Sequence, residues 1–187
     1  MALELQILDY IQTLHSPLLD KIMIAATTLG NMGIIWLALT LALLIIPKTR
    51  PVGKVLVLAL VIEIVVVNLL LKPMVHRIRP YDMNPMVRLL VPPPRDYSFP
   101  SGHTSMAFTV VSGLFLMKKK ALGIASLILA SLIAFSRMYL YVHFPTDVLV
   151  GLIIGLLSGY AGYKLYQYLE KKLNKKKLNN EMDIDKA

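Results

Sequence analysis

Long apolar segments are the feature of this chain that most restricts its fold. A helix needs about 20 mostly apolar residues to cross the hydrocarbon core of a bilayer. Four segments approach or reach that length once their flanking residues are included: 55–71, 105–117, 121–135 and 148–168. The sequence therefore predicts an all-α integral-membrane protein rather than a soluble domain.

The apolar segment 22–46 leaves two topologies open. It forms either one long helix or two helices that meet at residues 30–33, where Gly30, Asn31 and Gly33 favour a turn. With two helices, the first span starts near Pro17, since proline is tolerated at a helix start. The predicted fold is then an all-α bundle of six transmembrane helices. The five-span alternative keeps every later loop on the same side and moves only the N-terminus.

Composition supports a membrane partner and excludes several functions. The chain is 56% hydrophobic, against about 45–50% in an ordinary soluble domain. Its net charge of +9 comes from residues that flank apolar segments, which favours a membrane surface over nucleic acid. Cysteine is absent, which excludes disulfides, zinc–thiolate sites and a cysteine nucleophile. We predict an amphipathic lead-in over 1–15, a membrane domain over 16–170, and a basic, disordered tail over 171–187.

Basic residues between the spans predict the orientation. One set precedes the third of the six spans, a second lies at 118–120 and a third follows the last span, and all fall on one side. That side is predicted to be the cytoplasm, so the C-terminus is cytoplasmic. The opposite face also carries basic residues, which this rule does not predict. Their presence is explained if they bind an anion there. These cations are Lys72, Arg77, Arg79, Arg88, Arg95 and Arg137.

Three polar clusters lie at span ends on that predicted outer face. In the first, Lys72 and Arg79 are seven residues apart, nearly two helical turns, and suit a phosphate. In the second, Ser101 is a plausible helix cap and Gly102 allows close approach of a ligand to the backbone. A helix N-terminus favours phosphate, and His103 would lie in its first turn. Taken singly, these two clusters are better explained by interfacial snorkelling and by an ordinary capped helix.

The third cluster opens the last span. Pro145 suits the first helical position, which brings Asp147 close to His143 just before the helix. Asp147 would hold the imidazole Nδ1–H and leave Nε2 as a nucleophile. Arg137 offers a fork that binds two phosphate oxygens. A structural histidine–aspartate pair is the alternative for this cluster alone, but three unrelated explanations on one face are much less plausible.

The three clusters together resemble the type-2 phosphatidic acid phosphatase superfamily, which also contains the vanadium-dependent haloperoxidases. The family motifs are Lys followed after six residues by Arg-Pro, then Pro-Ser-Gly-His, then Ser-Arg followed by His and Asp. Here they read Lys72 with Arg79-Pro80, residues 100–103, and Ser136-Arg137 with His143 and Asp147. Every position matches at the family spacing.

The resemblance implies a role for each residue. His143 attacks phosphorus and is transiently phosphorylated, Asp147 orients it, and His103 protonates the leaving oxygen. Lys72, Arg79 and Arg137 bind the phosphate through their side chains. Backbone N–H groups near Ser101 and Gly102 add further hydrogen bonds. The phosphatases of this family work without a metal or other cofactor, so the resemblance implies none here.

The expected activity is hydrolysis of a lipid phosphate at the extracytoplasmic face, with other membrane lipids around the protein. Undecaprenyl pyrophosphate, phosphatidylglycerophosphate and phosphatidic acid are the candidate substrates. A lipid phosphotransferase, or a non-catalytic lipid-binding or transport protein, is the alternative. Glu63 in mid-span suggests either a functional site or a buried hydrogen-bonded carboxyl, with Asn68 as a partner. Arg77 is predicted to lie in a solvated loop.

Overall fold

Helices account for the regular structure of the described part of the chain, residues 2–184 of a computed structural model, and those residues contain no strand. The all-α prediction is confirmed. A 3-10 turn precedes α3 and another precedes α4, and a π-helical segment, Val65–Leu71, joins α4 to α5. The α-helices are α1 Ala2–Gln12, α2 Pro17–Gly30, α3 Ile34–Ile45, α4 Arg50–Ile64, α5 Lys72–Val75, α6 Pro80–Met83, α7 Gly102–Leu116, α8 Lys120–Tyr139 and α9 Pro145–Ile184.

Residues next to the helix starts explain where α7 and α9 begin. Ser101 caps α7, and its hydroxyl oxygen accepts a hydrogen bond from the Thr104 N–H at 3.5 Å. α9 begins at Pro145, as the position of this proline predicts. Asp147 in its first turn accepts a hydrogen bond from the Phe144 N–H at 2.9 Å, which satisfies a backbone donor at the helix start.

Packing of α7 against α9 fixes the relative position of these two helix starts. A Cβ on Gly151 would lie 2.7 Å from the carbonyl oxygen of Ser101, and one on Gly155 would lie 2.4 Å from that of Ser105. Glycine therefore lets the two backbones approach closely. Apolar side chains of α4, α7 and α8 fill the neighbouring core, among them Leu56, Val110, Leu114 and Ile133.

Six apolar helical elements lie in the segments where the sequence predicted helices: α2, α3, α4 with its π-helical continuation, α7, α8 and α9. α2 and α3 are separated by a kink at Met32 and Gly33, whose φ angles are 50° and 66°. By length and composition, α7 is a short apolar helix and four longer stretches could cross a membrane: Pro17–Ile45, Pro47–Met83, Lys120–Tyr139 and Pro145–Lys176.

α1 lies at the same end of the bundle as the starts of α7 and α9. Glu4 of α1 accepts hydrogen bonds from Arg77 and Thr146, and Asp9 accepts one from the Tyr141 hydroxyl. Since α4 begins with Arg50 at the opposite end, α2 and α3 together connect the two ends of the bundle. This arrangement agrees with the five-span alternative, in which the N-terminus lies on the side of the site.

The C-terminal segment differs from its prediction. α9 continues through Ile184, so residues 171–184 are helical where the sequence predicted disorder. The segment contains neither proline nor glycine, and it extends a helix that is already formed, which avoids the cost of nucleation. Residues 185–187 of the predicted tail lie outside the described residues.

Candidate active site

One cavity of about 810 Å³ receives side chains from all three polar clusters. Each cluster lies where a helix starts or ends, at the end of the bundle opposite Arg50 and Lys120. Of the eight site residues that the sequence predicted, six line this cavity: Lys72, Arg79, Gly102, His103, Arg137 and His143. The other two, Ser101 and Asp147, are fully buried directly behind it.

Arg79 is held rigidly between two loops. Its Nε donates to the carbonyl oxygen of Asp96 at 2.9 Å, and its Nη1 donates to that of Val142 at 2.6 Å. The same Nη1 lies 3.3 Å from Nε2 of His143. Only 2% of Arg79 is exposed, so its charge faces the cavity from a fixed position. A preorganised cation of this kind suits a developing phosphoryl charge.

His143 lies in the connection between α8 and α9. Its backbone N–H donates to the carbonyl oxygen of Arg137 at 3.2 Å, so the two predicted site residues are linked through the backbone. Its Nδ1 lies 3.5 Å from Oδ2 of Asp147, and its Nε2 is on the side of Arg79. Burial lowers the pKa of His143 to about 3, with Asp147 opposing this shift and the charges of Arg79 and Arg137 adding to it. The imidazole is therefore neutral at pH 7.

Asp147 accepts hydrogen bonds from three other residues. Its Oδ2 accepts hydrogen bonds from the Ser98 hydroxyl at 2.5 Å and from the Phe144 N–H at 2.9 Å. Its Oδ1 accepts one from Nη1 of Arg77 at 2.6 Å. The predicted solvated position of Arg77 is wrong, because only 19% of its side chain is exposed and it pairs with this buried carboxylate. Arg77 lies between Lys72 and Arg79 in the sequence, within the first cluster. Its charge alone did not distinguish a solvated arginine from one that pairs with a carboxylate.

His103 occupies the first turn of α7, as predicted. Its Nε2 lies 3.0 Å from Oδ1 of Asn31, in the kink between α2 and α3. Gly30 beside it allows this approach, since a Cβ there would lie 2.9 Å from Cδ2 of the imidazole. The sequence indicated a turn at Asn31 but gave no signal that its amide contacts His103.

Ser101 acts within the protein as a helix cap. Its N–H donates to the carbonyl oxygen of Asp147 at 3.0 Å, and its hydroxyl lies 3.0 Å from that of Thr104. Because the Ser101 N–H is already hydrogen-bonded within the protein, Gly102 is the backbone position of this pair that faces the cations. A Cβ on Gly102 would lie 3.8 Å from Nζ of Lys72.

Asp96 binds the cations of the first cluster, which the sequence did not indicate. Its Oδ1 accepts a hydrogen bond from Nη2 of Arg79 at 2.7 Å, and its Oδ2 accepts one from Lys72. Although burial raises the pKa of Asp96, the hydrogen bonds and charges of Lys72 and Arg79 outweigh it and lower the pKa to about 2. The carboxylate is therefore ionised and occupies the same donors that a phosphate would use.

The deeper part of the cavity is lined by apolar residues and two polar side chains. Glu63 is buried and accepts a hydrogen bond from Ser105, while its Oε2 has no partner among the described residues. Asn68 also lines the cavity, but the observed partner of Glu63 is Ser105. Among the residues whose side chains the structure describes, no group of three or more histidine, aspartate or glutamate side chains could hold a metal ion.

Comparisons with known proteins give consistent matches. A family model described as the PAP2 superfamily matches residues 52–171. The undecaprenyl-diphosphatase of Sulfolobus acidocaldarius is 38% identical over 121 residues, which cover 65% of this chain and 58% of that protein. The chain thus spans less than two thirds of the length of this relative.

Two solved structures share the fold. LpxE of Aquifex aeolicus superposes with a TM-score of 0.77 at 36% identity, covering 88% of this chain and 96% of that one. The transmembrane PAP2 type phosphatidylglycerolphosphate phosphatase of Bacillus subtilis gives a TM-score of 0.69 at 27% identity, covering 91% and 86%. Together with the apolar helices, these matches indicate a multi-pass membrane protein.

Proposed function

Because the chain belongs to the PAP2 superfamily, we propose that it is a lipid phosphatase that works through a phosphohistidine at His143. The observation that supports this most strongly is the convergence of two imidazoles and three cations on one cavity. His143 and His103 come from different helix ends, and both reach the cavity from the same end of the bundle.

The first step transfers the phosphoryl group to the protein. The neutral Nε2 of His143 attacks phosphorus and forms an N–P bond while the bond from phosphorus to the lipid oxygen breaks. The bound anionic phosphate favours the protonated form of the adjacent His103, which donates its proton to the leaving oxygen. Asp147 stabilises the positive charge that develops on the phosphorylated imidazole. Three cations offset the charge on the phosphoryl oxygens: Lys72, Arg79 and Arg137.

The second step releases the phosphate. His103, now neutral, accepts a proton from a water molecule as that water attacks phosphorus and the N–P bond breaks. His143 returns to its neutral form and inorganic phosphate leaves. The nucleophile is available at neutral pH because burial and the neighbouring cations keep the pKa of His143 low.

The cavity supports a lipid as the substrate. It extends from the cations down to Glu63, which lies nine residues before Lys72 on the same continuous helical segment. Apolar side chains line this depth, including Ile24, Leu37, Ile64 and Val91. A phosphate head group would bind the cations while the first part of an apolar chain enters between the helices. A polyprenyl diphosphate such as undecaprenyl pyrophosphate is our first candidate; phosphatidylglycerophosphate and phosphatidic acid follow.

We place the site at the extracytoplasmic face. The opposite end of the bundle carries Arg50 and Lys120 at helix starts, and basic residues are enriched on the cytoplasmic side of membrane proteins. The basic residues 171–176 of α9 also belong to that end. Labelling of single cysteines placed at 119 and 85 in intact cells checks this orientation, since only the second is expected to react with an impermeant reagent.

The test of the proposed chemistry is loss of the nucleophile. In His143→Ala we expect no phosphate release from any lipid in a panel of purified phosphates and diphosphates. Rapid quenching of the wild type with labelled substrate is expected to trap protein-bound phosphate that is labile to acid and stable to base. His103→Ala is expected to slow turnover by about 10²–10⁴-fold.

His76→Ala is the matched control, because His76 is an exposed histidine of the same face that packs against Tyr97. It is expected to keep wild-type turnover. Wild-type turnover in His143→Ala, with the protein folded, would contradict the assignment of the nucleophile. Adding an alcohol acceptor separates hydrolysis from phosphotransfer, since a phosphotransferase would place the phosphate on the acceptor rather than release it.

A further inference from the structure

Arg77 connects the buried carboxylate of the site to the N-terminal helix. Its Nη1 donates to Oδ1 of Asp147 at 2.6 Å and to the Thr146 hydroxyl at 2.7 Å. Its Nη2 donates to Oε2 of Glu4 at 2.7 Å. The guanidinium also lies over the ring of Phe144, 4.0 Å from its centroid. Together, these hydrogen bonds and the contact with the ring hold the guanidinium in one orientation.

α1 is itself attached to the segment that carries His143. Leu8 and Ile11 are buried against residues 139–144. Gln12 donates to the carbonyl oxygen of Tyr139 at 2.8 Å, and Asp9 accepts a hydrogen bond from the Tyr141 hydroxyl at 2.7 Å. Glu4 adds a bond to the start of α9, where it accepts the Thr146 hydroxyl at 2.5 Å. α1 therefore covers the connection between α8 and α9 from the outside.

A buried carboxylate needs this support. Asp147 has no exposed surface, and a buried charge that loses its partner is strongly unfavourable. Its Oδ2 faces Ser98, the Phe144 N–H and His143, whereas Oδ1 is bound by Arg77. With Oδ1 held, the carboxylate cannot rotate, and Oδ2 stays directed towards the imidazole. The positive charge of the guanidinium also offsets the buried negative charge of Asp147.

We propose that Arg77 is a positioning residue that holds Asp147 for the reaction and, through Glu4, makes the activity depend on α1. This inference rests on the proposed function of His143 as the nucleophile. Among the described residues, those lining the cavity do not include Arg77, so it acts through Asp147 rather than on the substrate. Its loss is therefore expected to slow phosphoryl transfer while leaving substrate binding unchanged.

The experiment compares Arg77→Ala, Arg77→Lys and Glu4→Gln in the full-length protein, with phosphate release from one lipid phosphate as the assay. Loss of a group that orients a metal-ligating histidine typically costs about 10–100-fold, and by analogy Arg77→Ala should lower kcat by that factor with KM within twofold of wild type. Arg77→Lys keeps the charge but cannot span both carboxylates, so an intermediate kcat is expected. Glu4→Gln should reduce kcat by a few fold.

Arg88→Ala is the matched control, since Arg88 is an exposed arginine on the same face. Wild-type kcat in Arg77→Ala, alongside an inactive His143→Ala, would overturn the positioning role and leave the proposed function intact. A rise in KM with unchanged kcat would also overturn it, because that places Arg77 on the substrate. If Arg77→Ala does not fold, Glu4→Gln and Arg77→Lys decide, and wild-type kcat in both contradicts the inference. An active His143→Ala would instead reject the proposed function.

Discussion

Replacing Asp96 by alanine is expected to strengthen phosphate binding. The Asp96 carboxylate is bound by Lys72 and by Nη2 of Arg79, which are two of the three cations proposed to bind the substrate phosphate. A phosphate must displace this carboxylate before it can use the same donors. Displacing the carboxylate costs free energy, which raises KM and the inhibition constant of phosphate. This cost is absent in the alanine variant.

The magnitude follows from the exposure of the pair. A hydrogen bond to a charged group contributes about 1.5–3 kcal/mol when it is desolvated. The Asp96 side chain is 53% exposed, so solvent screening reduces each of its two ion pairs towards about 0.2–1 kcal/mol. A sum of about 1 kcal/mol corresponds to roughly a fivefold change, since about 1.4 kcal/mol is tenfold. Arg79 keeps its bond to the Asp96 carbonyl oxygen, so the backbone contact survives the substitution.

The assay measures inhibition by inorganic phosphate, which does not depend on the identity of the lipid. We expect the inhibition constant of Asp96→Ala to fall about fivefold. The ratio to wild type should stay constant between pH 5 and 9, because the pKa of Asp96 is about 2 and the carboxylate is ionised throughout. Asp82→Ala removes an exposed carboxylate from the adjacent α6 and serves as the control. An unchanged or weaker affinity in Asp96→Ala would refute the competition and indicate that Asp96 supports the cations instead.

Two further predictions concern stability. Since the pKa of His143 is about 3 when folded and about 6.5 when unfolded, the unfolded state binds more protons between these values, and stability falls as pH decreases from 6.5 towards 3. His143→Gln should therefore lose less Tm than wild type between pH 7 and pH 4, and an equal loss would contradict this. Gly155→Ala should destabilise the protein by about 1–3 kcal/mol, because its Cβ would meet backbone atoms of α7 that cannot move alone. In Gly123→Ala the new Cβ meets only the Phe115 ring, so thermal unfolding of that control should be near wild type.

The local signals of the sequence predicted much of this protein correctly. Apolar length determined the all-α membrane fold, because a helix that crosses lipid must be long and apolar. Pro145 and Ser101 marked the starts of α9 and α7, since capping depends on residues within one turn. The spacing of the three clusters identified the side chains that line the cavity, including His103 and His143.

The tertiary structure alone decided how those side chains are paired. Three contacts join residues that are far apart in the chain: Asp96 with Lys72, Asn31 with His103, and Arg77 with Asp147. Such contacts depend on helix packing and loop paths, which residue type and spacing do not specify. The position of α1 is the clearest case. An amphipathic segment fits either end of the bundle by composition, and its contacts with Arg77, Thr146 and Tyr141 place it at the end that carries the site.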